Sequence, residues 1–373
     1  CGQTYWQVLP VNPADGYGSP YAGLAAFAGN TCLLEKDPED VLAELKDADD
    51  DPDYQAFLEK NKYWLTPYAT FRAIKDLLGE GPWQEWPGAY ARFSPGLARR
   101  VELADGVDRH RKLQYEFQRE WDELRAYANA RGIKIVGDMP MYVSGDSADV
   151  WAERDIFELD EKGYAQVQAG CPGDGFGPEG QLWGNPTYRW DVLAARGYDW
   201  WLARLERAVK TYDYVRLDHF IGFSSYYKIT KGKPAREGSF SFGPGLDLFR
   251  AAYQKLGPLP FIAEDLGVIT PAVRALIAET GIPGMDIVQF SDGDVREGYE
   301  PKPGTVTFTG THDNQTLLGF CQSRFGLEGQ EATQMADRIA ASVLASKNDV
   351  AIMPLQDVLG LDDAARMNVP GVA

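Results

Sequence analysis

The sequence predicts an α/β fold in which a parallel sheet closes into a (β/α)₈ TIM barrel. Amphipathic helices repeatedly precede short apolar strands along the 373 residues, and such alternation indicates a largely parallel sheet. Acidic residues follow several of these strands, at Asp138, Asp218, Glu264 and Asp313. An open sheet usually gathers its ligand at one crevice, whereas a barrel brings many strand ends around one point. The distribution of the acids therefore favours the barrel.

The clearest helix is predicted over residues 111–131. Its apolar residues recur at steps of three and four, and Gly132 marks its end; they are Leu113, Phe117, Trp121, Leu124 and Ala128. A strand is predicted directly after it, over 133–136. The same pattern predicts helices at 199–210, 246–256 and 271–280, followed by strands at 212–217, 261–263 and 285–290. Further strands are predicted at 5–9, 305–308 and 350–354.

Two long segments interrupt this alternation. Residues 38–110 are polar with helical periodicity and predict an inserted helical subdomain. Residues 151–197 are rich in glycine and proline and predict a loop over the barrel mouth, where specificity usually resides. The barrel itself is assigned to 1–37 and 111–373, and we expect it to lack its first strand and its C-terminal end.

Composition excludes several classes of function. The formal charge of −18 argues against nucleic acid or an anionic membrane as partner, and no stretch of 18 apolar residues predicts a membrane span. The four cysteines are far apart in sequence, and no cluster of cysteine and histidine indicates a metal site. We therefore expect no metal and no cofactor.

The absence of a signal peptide favours the cytoplasm, or the plastid stroma if a longer N-terminus carried a transit peptide.

The strongest chemical signal is a set of polar clusters around Asp218, Glu264 and Asp313. Arg216 and Asp218 are two residues apart, so they point to the same side of a strand, and the guanidinium favours an ionised carboxylate suited to a nucleophile. Glu264 follows three apolar residues, which favours the protonated form that a general acid needs. Two carboxylates in different environments are what glycosidic bond cleavage requires. The alternative interpretation is that these are buried ion pairs between strands.

The motifs that surround these clusters resemble the amylomaltases, the 4-α-glucanotransferases of glycoside hydrolase family 77. The resemblance covers nearly the whole chain and rests on Tyr17-Gly18-Ser19-Pro20-Tyr21, Phe27-Ala28-Gly29-Asn30, Gly137-Asp138-Met139-Pro140-Met141-Tyr142, Asp146-Ser147-Ala148-Asp149-Val150-Trp151 and Leu182-Trp183-Gly184-Asn185-Pro186. It implies a barrel that needs no cofactor and acts on α-1,4-glucan donors and acceptors such as maltooligosaccharides and amylose.

The resemblance also implies roles for individual residues. It implies Asp218 as nucleophile, Glu264 as general acid/base and Asp313 as transition-state stabiliser. The residues expected to support the site or contact glucan are Arg216, His312, Asp146, Trp183, Tyr21, Ser19, Tyr17 and Asn185. Tyr188 and Trp190 are further candidates for stacking on glucose rings.

The carboxylates alone do not decide between transfer and hydrolysis. If the incoming group is a glucan hydroxyl the reaction is transfer, and if it is water the reaction is hydrolysis. Three classes therefore remain open from the residues: a 4-α-glucanotransferase, an α-1,4-glucan hydrolase, and an inactive glucan-binding protein.

Overall fold

The computed structural model describes residues 2–16, 18–173 and 179–369, and the chain divides into two compact units, 1–260 and 261–373. The strands of the first unit are β1 (Tyr5–Gln7), β2 (Lys134–Met139), β3 (Val167–Cys171), β4 (Gln181–Pro186), β5 (Tyr214–Leu217), β6 (Ser225–Thr230) and β7 (Ser239–Phe242). Its helices are α1 (Pro38–Glu44), α2 (Pro52–Leu78), α3 (Ala104–Ala130), α4 (Ala148–Ala152), α5 (Trp190–Ala195), α6 (Asp199–Thr211) and α7 (Leu246–Leu256).

A parallel sheet in the first unit positions the polar residues that follow its strands. Strand β2 pairs in parallel with both β1 and β5. The strands form because their apolar side chains are buried, among them Val136 and Leu217. Asp138 on β2 lies opposite Arg216 on β5, and the Asp218 N–H donates to the Met139 carbonyl at 3.0 Å. The register therefore brings the C-terminal ends of β2 and β5 side by side.

Helix α3 confirms most of the predicted helix but begins earlier. Leu113, Phe117, Trp121 and Ala128 are buried as their spacing predicts, whereas Leu124 is 38% exposed and lies outside the buried face. The helix begins at Ala104 instead of residue 111, so the predicted boundary at 110/111 falls inside a helix. Its first turns pack on α2, where His110 Nε2 lies 2.7 Å from Asp76 Oδ2. The apolar periodicity does not extend to residues 104–110, because these partly polar turns pack on another helix without a continuous apolar stripe.

The segment 151–197, predicted as a loop, is in part a sheet. Strands β3 and β4 lie in it, and they join β6 and β7 in an antiparallel sheet of order β4-β3-β6-β7. Gly170 allows the close approach of β3 and β4, since a Cβ there would lie 2.1 Å from the Gln181 carbonyl oxygen. The glycines that suggested a loop are thus compatible with strands that approach closely.

The second unit contains strands β8 (Phe261–Ala263), β9 (Met285–Ile287), β10 (Val306–Phe308) and β11 (Ala351–Ile352) and helices α8 (Pro271–Thr280), α9 (Leu317–Phe325), α10 (Gly329–Leu344) and α11 (Leu355–Val358). Strand β10 pairs in parallel with β9 and β11. The predicted strand at 285–290 ends at Ile287 and continues as a 3₁₀ turn. Helices α9 and α10 bury Leu317, Ile339 and Val343 against Val288.

In the part of the chain that the structure describes, no helix combines the length and the apolar character that a membrane span requires.

Candidate active site

Arg216 joins two carboxylates at the ends of β2 and β5. Its Nη1 lies 2.8 Å from both oxygens of Asp138 and 2.9 Å from Oδ1 of Asp218. Arg216 and Asp138 are buried, whereas the Asp218 side chain is 27% exposed. A buried guanidinium needs such partners because an unpaired buried charge is costly. The arrangement holds the Asp218 carboxylate at a partly exposed position, where a ligand can reach it.

Tyr21 completes this network. Its hydroxyl donates to Asp138 Oδ2 at 2.6 Å. Burial raises the pKa of Tyr21 far above its usual range, and the charge of Asp138 raises it further, so the phenol keeps its proton and remains a donor. Burial also raises the pKa of Asp138, with Arg216 opposing and Asp218 reinforcing the shift. Tyr21 and Arg216 therefore both hold Asp138.

Trp183 lies on the β4 strand and connects to the residue after Asp218. Its indole is 37% exposed, its Nε1 donates to Gln181 Oε1 at 2.9 Å, and its ring meets His219 edge-on with centroids 5.0 Å apart. His219 has a left-handed backbone with φ 50°, and burial of its ring lowers its pKa to about 4. The neutral imidazole of His219 thus connects the partly exposed indole of Trp183 to the C-terminal end of β5.

Asp146 and Asn185 belong to a separate set of contacts. Asp146 accepts from Lys75 Nζ at 2.8 Å and from the Trp83 N–H at 3.2 Å, and Asn185 Nδ2 donates to the Val143 carbonyl at 2.9 Å. Asn185 therefore fixes the segment 143–146 at residue 143, and Asp146 joins it to Lys75 of helix α2. Direct glucan contact by either residue stays a prediction.

The N-terminal motif is described only in part. The Ser19 N–H donates to Asp15 Oδ1 at 2.9 Å, which fixes Ser19 two residues before Tyr21. Tyr17 lies outside the described residues, so its predicted stacking on a sugar stays a prediction.

Tyr188 and Trp190 both pack against other aromatic side chains, but only Tyr188 is fully buried. Tyr188 is buried and donates to the Met141 carbonyl at 2.8 Å, and Trp190 stacks on Trp201 with centroids 5.8 Å apart. The predicted glucan stacking of Tyr188 is therefore corrected to packing, because its ring is buried among other aromatic side chains, whereas Trp190 is half-buried and its stacking on glucan stays a prediction.

Glu264 follows β8 in the second unit. Its side chain is buried, and its Oε1 accepts from the Leu266 N–H at 3.2 Å. The neighbouring Asp265 points into the unit, where it accepts from the Met285 N–H at 2.8 Å. The two consecutive carboxylates thus have different surroundings, and Asp265 fixes the backbone beside Glu264.

Asp313 follows β10 and is more exposed than Glu264. Its side chain is 51% exposed, and Oδ2 lies 3.2 Å from His312 Nε2. Asn368 Nδ2 donates to Oδ1 at 2.5 Å, and Arg366 donates to the Asp313 carbonyl at 3.1 Å. His312 therefore supports Asp313 directly, within the same unit.

Within residues 2–16, 18–173 and 179–369, no three side chains of histidine, cysteine, aspartate or glutamate form a group that could hold a metal ion.

Comparisons with known proteins identify the family of this chain. The sequence profile of the family described as 4-alpha-glucanotransferase, glycoside hydrolase family 77, matches residues 39–373. The 4-alpha-glucanotransferase of Streptococcus pneumoniae is 39% identical over 424 residues, covering 99% of this chain and 84% of that protein. That of Thermus thermophilus is 38% identical over 432 residues, covering 99% and 86%. The chain belongs to this family.

A solved structure agrees with this assignment. The amylomaltase from Streptococcus agalactiae in complex with acarbose superimposes with a TM-score of 0.87 at 33% identity, covering 99% of this chain and 86% of that one. The predicted α/β class with parallel strands is therefore confirmed, and the predicted barrel is consistent with this likeness. As a member of the 4-alpha-glucanotransferase family, the protein is a glucan-transferring enzyme.

The sequence did not predict every residue that contacts the proposed catalytic residues or their neighbours. Asp138 was recognised as an acid after a strand but not as the partner of Arg216, although the opposite charges on adjacent predicted strands were the available signal. His219 was not singled out from the sequence, and Tyr142, which contacts Trp183 with ring centroids 6.1 Å apart, was quoted only within a motif. Asn368 carried no signal, because its partner is distant in sequence.

Proposed function

We propose that the protein transfers α-1,4-glucan segments between maltooligosaccharides or longer glucans by a retaining double displacement. Asp218 attacks the anomeric carbon and forms a covalent glucosyl-enzyme while Glu264 protonates the leaving oxygen. Glu264 then takes the proton from the 4-hydroxyl of an acceptor glucan, which displaces Asp218. Asp313 stabilises the oxocarbenium-like charge in both steps.

The observation that carries this proposal is the position of Arg216 between Asp138 and Asp218. A nucleophilic carboxylate must be fixed in direction, and the guanidinium of Arg216, 2.9 Å from Asp218 Oδ1, fixes it through a charge-assisted contact. Asp138 accepts from the same Nη1 on the buried side. These contacts hold the guanidinium at the C-terminal end of β5.

The environment of Glu264 supports its proposed role as acid and base. Its carboxyl group is buried after the three apolar residues of β8, and such apolar surroundings are typical of a general acid. The Leu266 N–H donates to Glu264 Oε1 at 3.2 Å, and this bond orients the carboxyl group.

Trp183 supports transfer over hydrolysis. An acceptor glucan competes with water only when the site binds sugar rings strongly, and an exposed indole provides a flat apolar surface for a ring face. The edge contact with His219 fixes this surface beside the residue that follows Asp218. Relatives named 4-alpha-glucanotransferase are consistent with this assignment.

A product assay with maltotriose distinguishes the three classes. We expect glucose and longer maltooligosaccharides to accumulate with no net rise in reducing ends. A net rise would instead identify a hydrolase, and binding of maltotriose without either product pattern would identify an inactive glucan-binding protein.

Variants test the two catalytic assignments. We expect Asp218→Ala and Glu264→Gln to abolish turnover of maltotriose while glucan binding persists. Asp191→Ala, which removes an exposed carboxylate of the same unit as Asp218, serves as the control and is expected to retain full activity. Wild-type turnover in either catalytic variant would remove that residue from its role.

With α-glucosyl fluoride as donor and azide as added nucleophile, the two roles separate further. We expect Asp218→Ala to give the β-azide, because a single displacement inverts the configuration at the anomeric carbon. Glu264→Ala is expected to give the α-azide, since azide then attacks the covalent intermediate. The reverse pattern would exchange the assignments.

The cytoplasm or plastid stroma as location, and the absence of nucleic-acid and membrane partners, stay predictions from the sequence.

A further inference from the structure

The C-terminal segment of the second unit, residues 355–369, is bonded to the segment that carries Asp313. Asp357 accepts from Thr309 Oγ1 at 2.6 Å and from the Leu317 N–H at 2.7 Å. Asp363 accepts from the Thr316 N–H at 2.9 Å and from Gln315 Nε2 at 2.7 Å. These bonds bracket Asp313 on both sides in sequence, so the two segments move as one body.

The approach of these segments is close enough to restrict the sequence. A Cβ on Gly319 would lie 2.2 Å from Asp363 Oδ1, well inside van der Waals contact. Glycine at 319 therefore lets the Asp363 carboxylate reach the start of α9. The contact fixes how far residues 363–369 stand from the end of β10.

Asn368 uses this fixed position to bond the Asp313 carboxylate. Its Nδ2 donates to Oδ1 at 2.5 Å, while Oδ2 faces His312 Nε2 at 3.2 Å and the backbone carbonyl accepts from Arg366 at 3.1 Å. A half-exposed aspartate without such contacts would sample several rotamers. With a partner on each oxygen, the plane and direction of the carboxylate are set.

We propose that Asn368 is a positioning residue that holds Asp313 in the orientation needed to stabilise the transition state. The inference rests on the proposed role of Asp313 and extends it to a residue far along the chain. Charge stabilisation is effective only when the charge is oriented before the reaction, and a misplacement of about 1 Å costs about 100-fold in rate. Because the carboxylate acts mainly when positive charge develops, its orientation affects kcat more than KM.

The first test is Asn368→Ala, assayed by maltotriose disproportionation. We expect kcat to fall about 10- to 100-fold with KM within about twofold of wild type. Asn348→Ala is the matched control, because Asn348 Nδ2 also donates to the β10 segment but away from Asp313, to Thr307 Oγ1 in the strand at 3.0 Å and to Thr305 Oγ1 just before it at 3.1 Å. We expect the control to retain kcat even if it lowers the melting temperature.

A second variant guards against a failure to fold. Asn368→Asp keeps the size of the side chain but replaces the amide donor by an acceptor, so we expect a loss of kcat at least as large as with alanine. If both variants lose kcat only as much as Asn348→Ala does, the role of Asn368 is structural and the inference is wrong. A rise in KM at unchanged kcat would also contradict it, since that result indicates direct glucan binding.

A double-mutant cycle separates this inference from the proposed function. We expect Asp313→Asn to abolish most turnover, and Asn368→Ala to add no further loss in that background. If Asp313→Asn retains wild-type turnover, the proposed role of Asp313 fails. If Asp313→Asn is inactive but Asn368→Ala is fully active, only the inference about Asn368 fails.

Discussion

At the scale of single residues, the buried cation Arg216 determines how the first unit holds its proposed nucleophile. Its guanidinium is bonded to Asp138 on one side and to Asp218 on the other. Buried ion pairs contribute little net stability compared with apolar packing, but the removal of one partner is strongly destabilising. The network is therefore better explained by its effect on Asp218 than by stability.

We expect Asp138→Asn to lower both stability and activity. The amide neutralises the main partner of a buried guanidinium, and we expect a loss of about 3 kcal/mol in the free energy of unfolding together with a lower kcat. Tyr21→Phe removes one hydrogen bond to the same carboxylate and should cost about 1 kcal/mol. Chemical denaturation measures both, and equal stability of wild type and Asp138→Asn would contradict the network.

Asp149 provides a prediction with a defined dependence on pH. It is buried, and burial raises its pKa to about 6 although the Ala26 N–H at 2.7 Å opposes the shift. A raised pKa means that the folded state favours the protonated form, so the stabilisation is full below about pH 4 and is lost as pH rises through 6.

We therefore expect Asp149→Asn to stabilise the fold at pH 7.5, by up to about 3 kcal/mol, and to lose this advantage towards pH 4. The amide oxygen still accepts from Ala26, while the charge is gone. Denaturant unfolding of both proteins at pH 7.5 and pH 4.5 measures the difference. A variant no more stable than wild type at pH 7.5 would show that the charge of Asp149 does not lower the free energy of unfolding.

At the scale of elements, the sequence predicted those helices and strands whose apolar periodicity follows from the burial of one face. The bounds predicted for α7, α8 and β8 agree with the structure, because each is short, apolar on its inner side and ended by glycine or a polar residue. The antiparallel sheet was missed, since pairing between distant strands such as β3 and β6 leaves no local pattern.

The same limit applies to the site. Asp218, Glu264 and Asp313 were predicted because each polar residue follows an apolar strand, a local signal. The partners Asp138, His219 and Asn368 reach these residues or their neighbours from other elements. Such contacts depend on register and packing, which no spacing along the chain encodes.

Gly137 within β2 tests the packing of an element. A Cβ at this position would lie 2.2 Å from the Tyr212 ring, whose residue precedes β5. We expect Gly137→Ala to lower the free energy of unfolding by about 1–3 kcal/mol through overpacking. Gly81→Ala is the control, because a Cβ there has nothing within 4 Å. Equal melting temperatures for the two variants would contradict the packing.

At the scale of the whole molecule, the excess of acidic residues determines colloidal behaviour. The formal charge is −18 at pH 7 and the sequence pI is about 4.7. Molecules near zero net charge repel one another least. We expect a solubility minimum close to pH 4.7, measured by light scattering across a pH series at low salt. A minimum above pH 6 would show that patches of charge, not net charge, control association.

The central claim is that Asp218 forms a covalent bond to the donor glucan. A fluorinated α-glucosyl fluoride that reacts quickly but is released slowly traps this intermediate, and peptide mass spectrometry locates the added sugar. We expect one sugar on the peptide that contains Asp218, and none on the Asp218→Ala variant. A sugar on any other carboxylate, or an unlabelled wild-type enzyme that still disproportionates maltotriose, would contradict it.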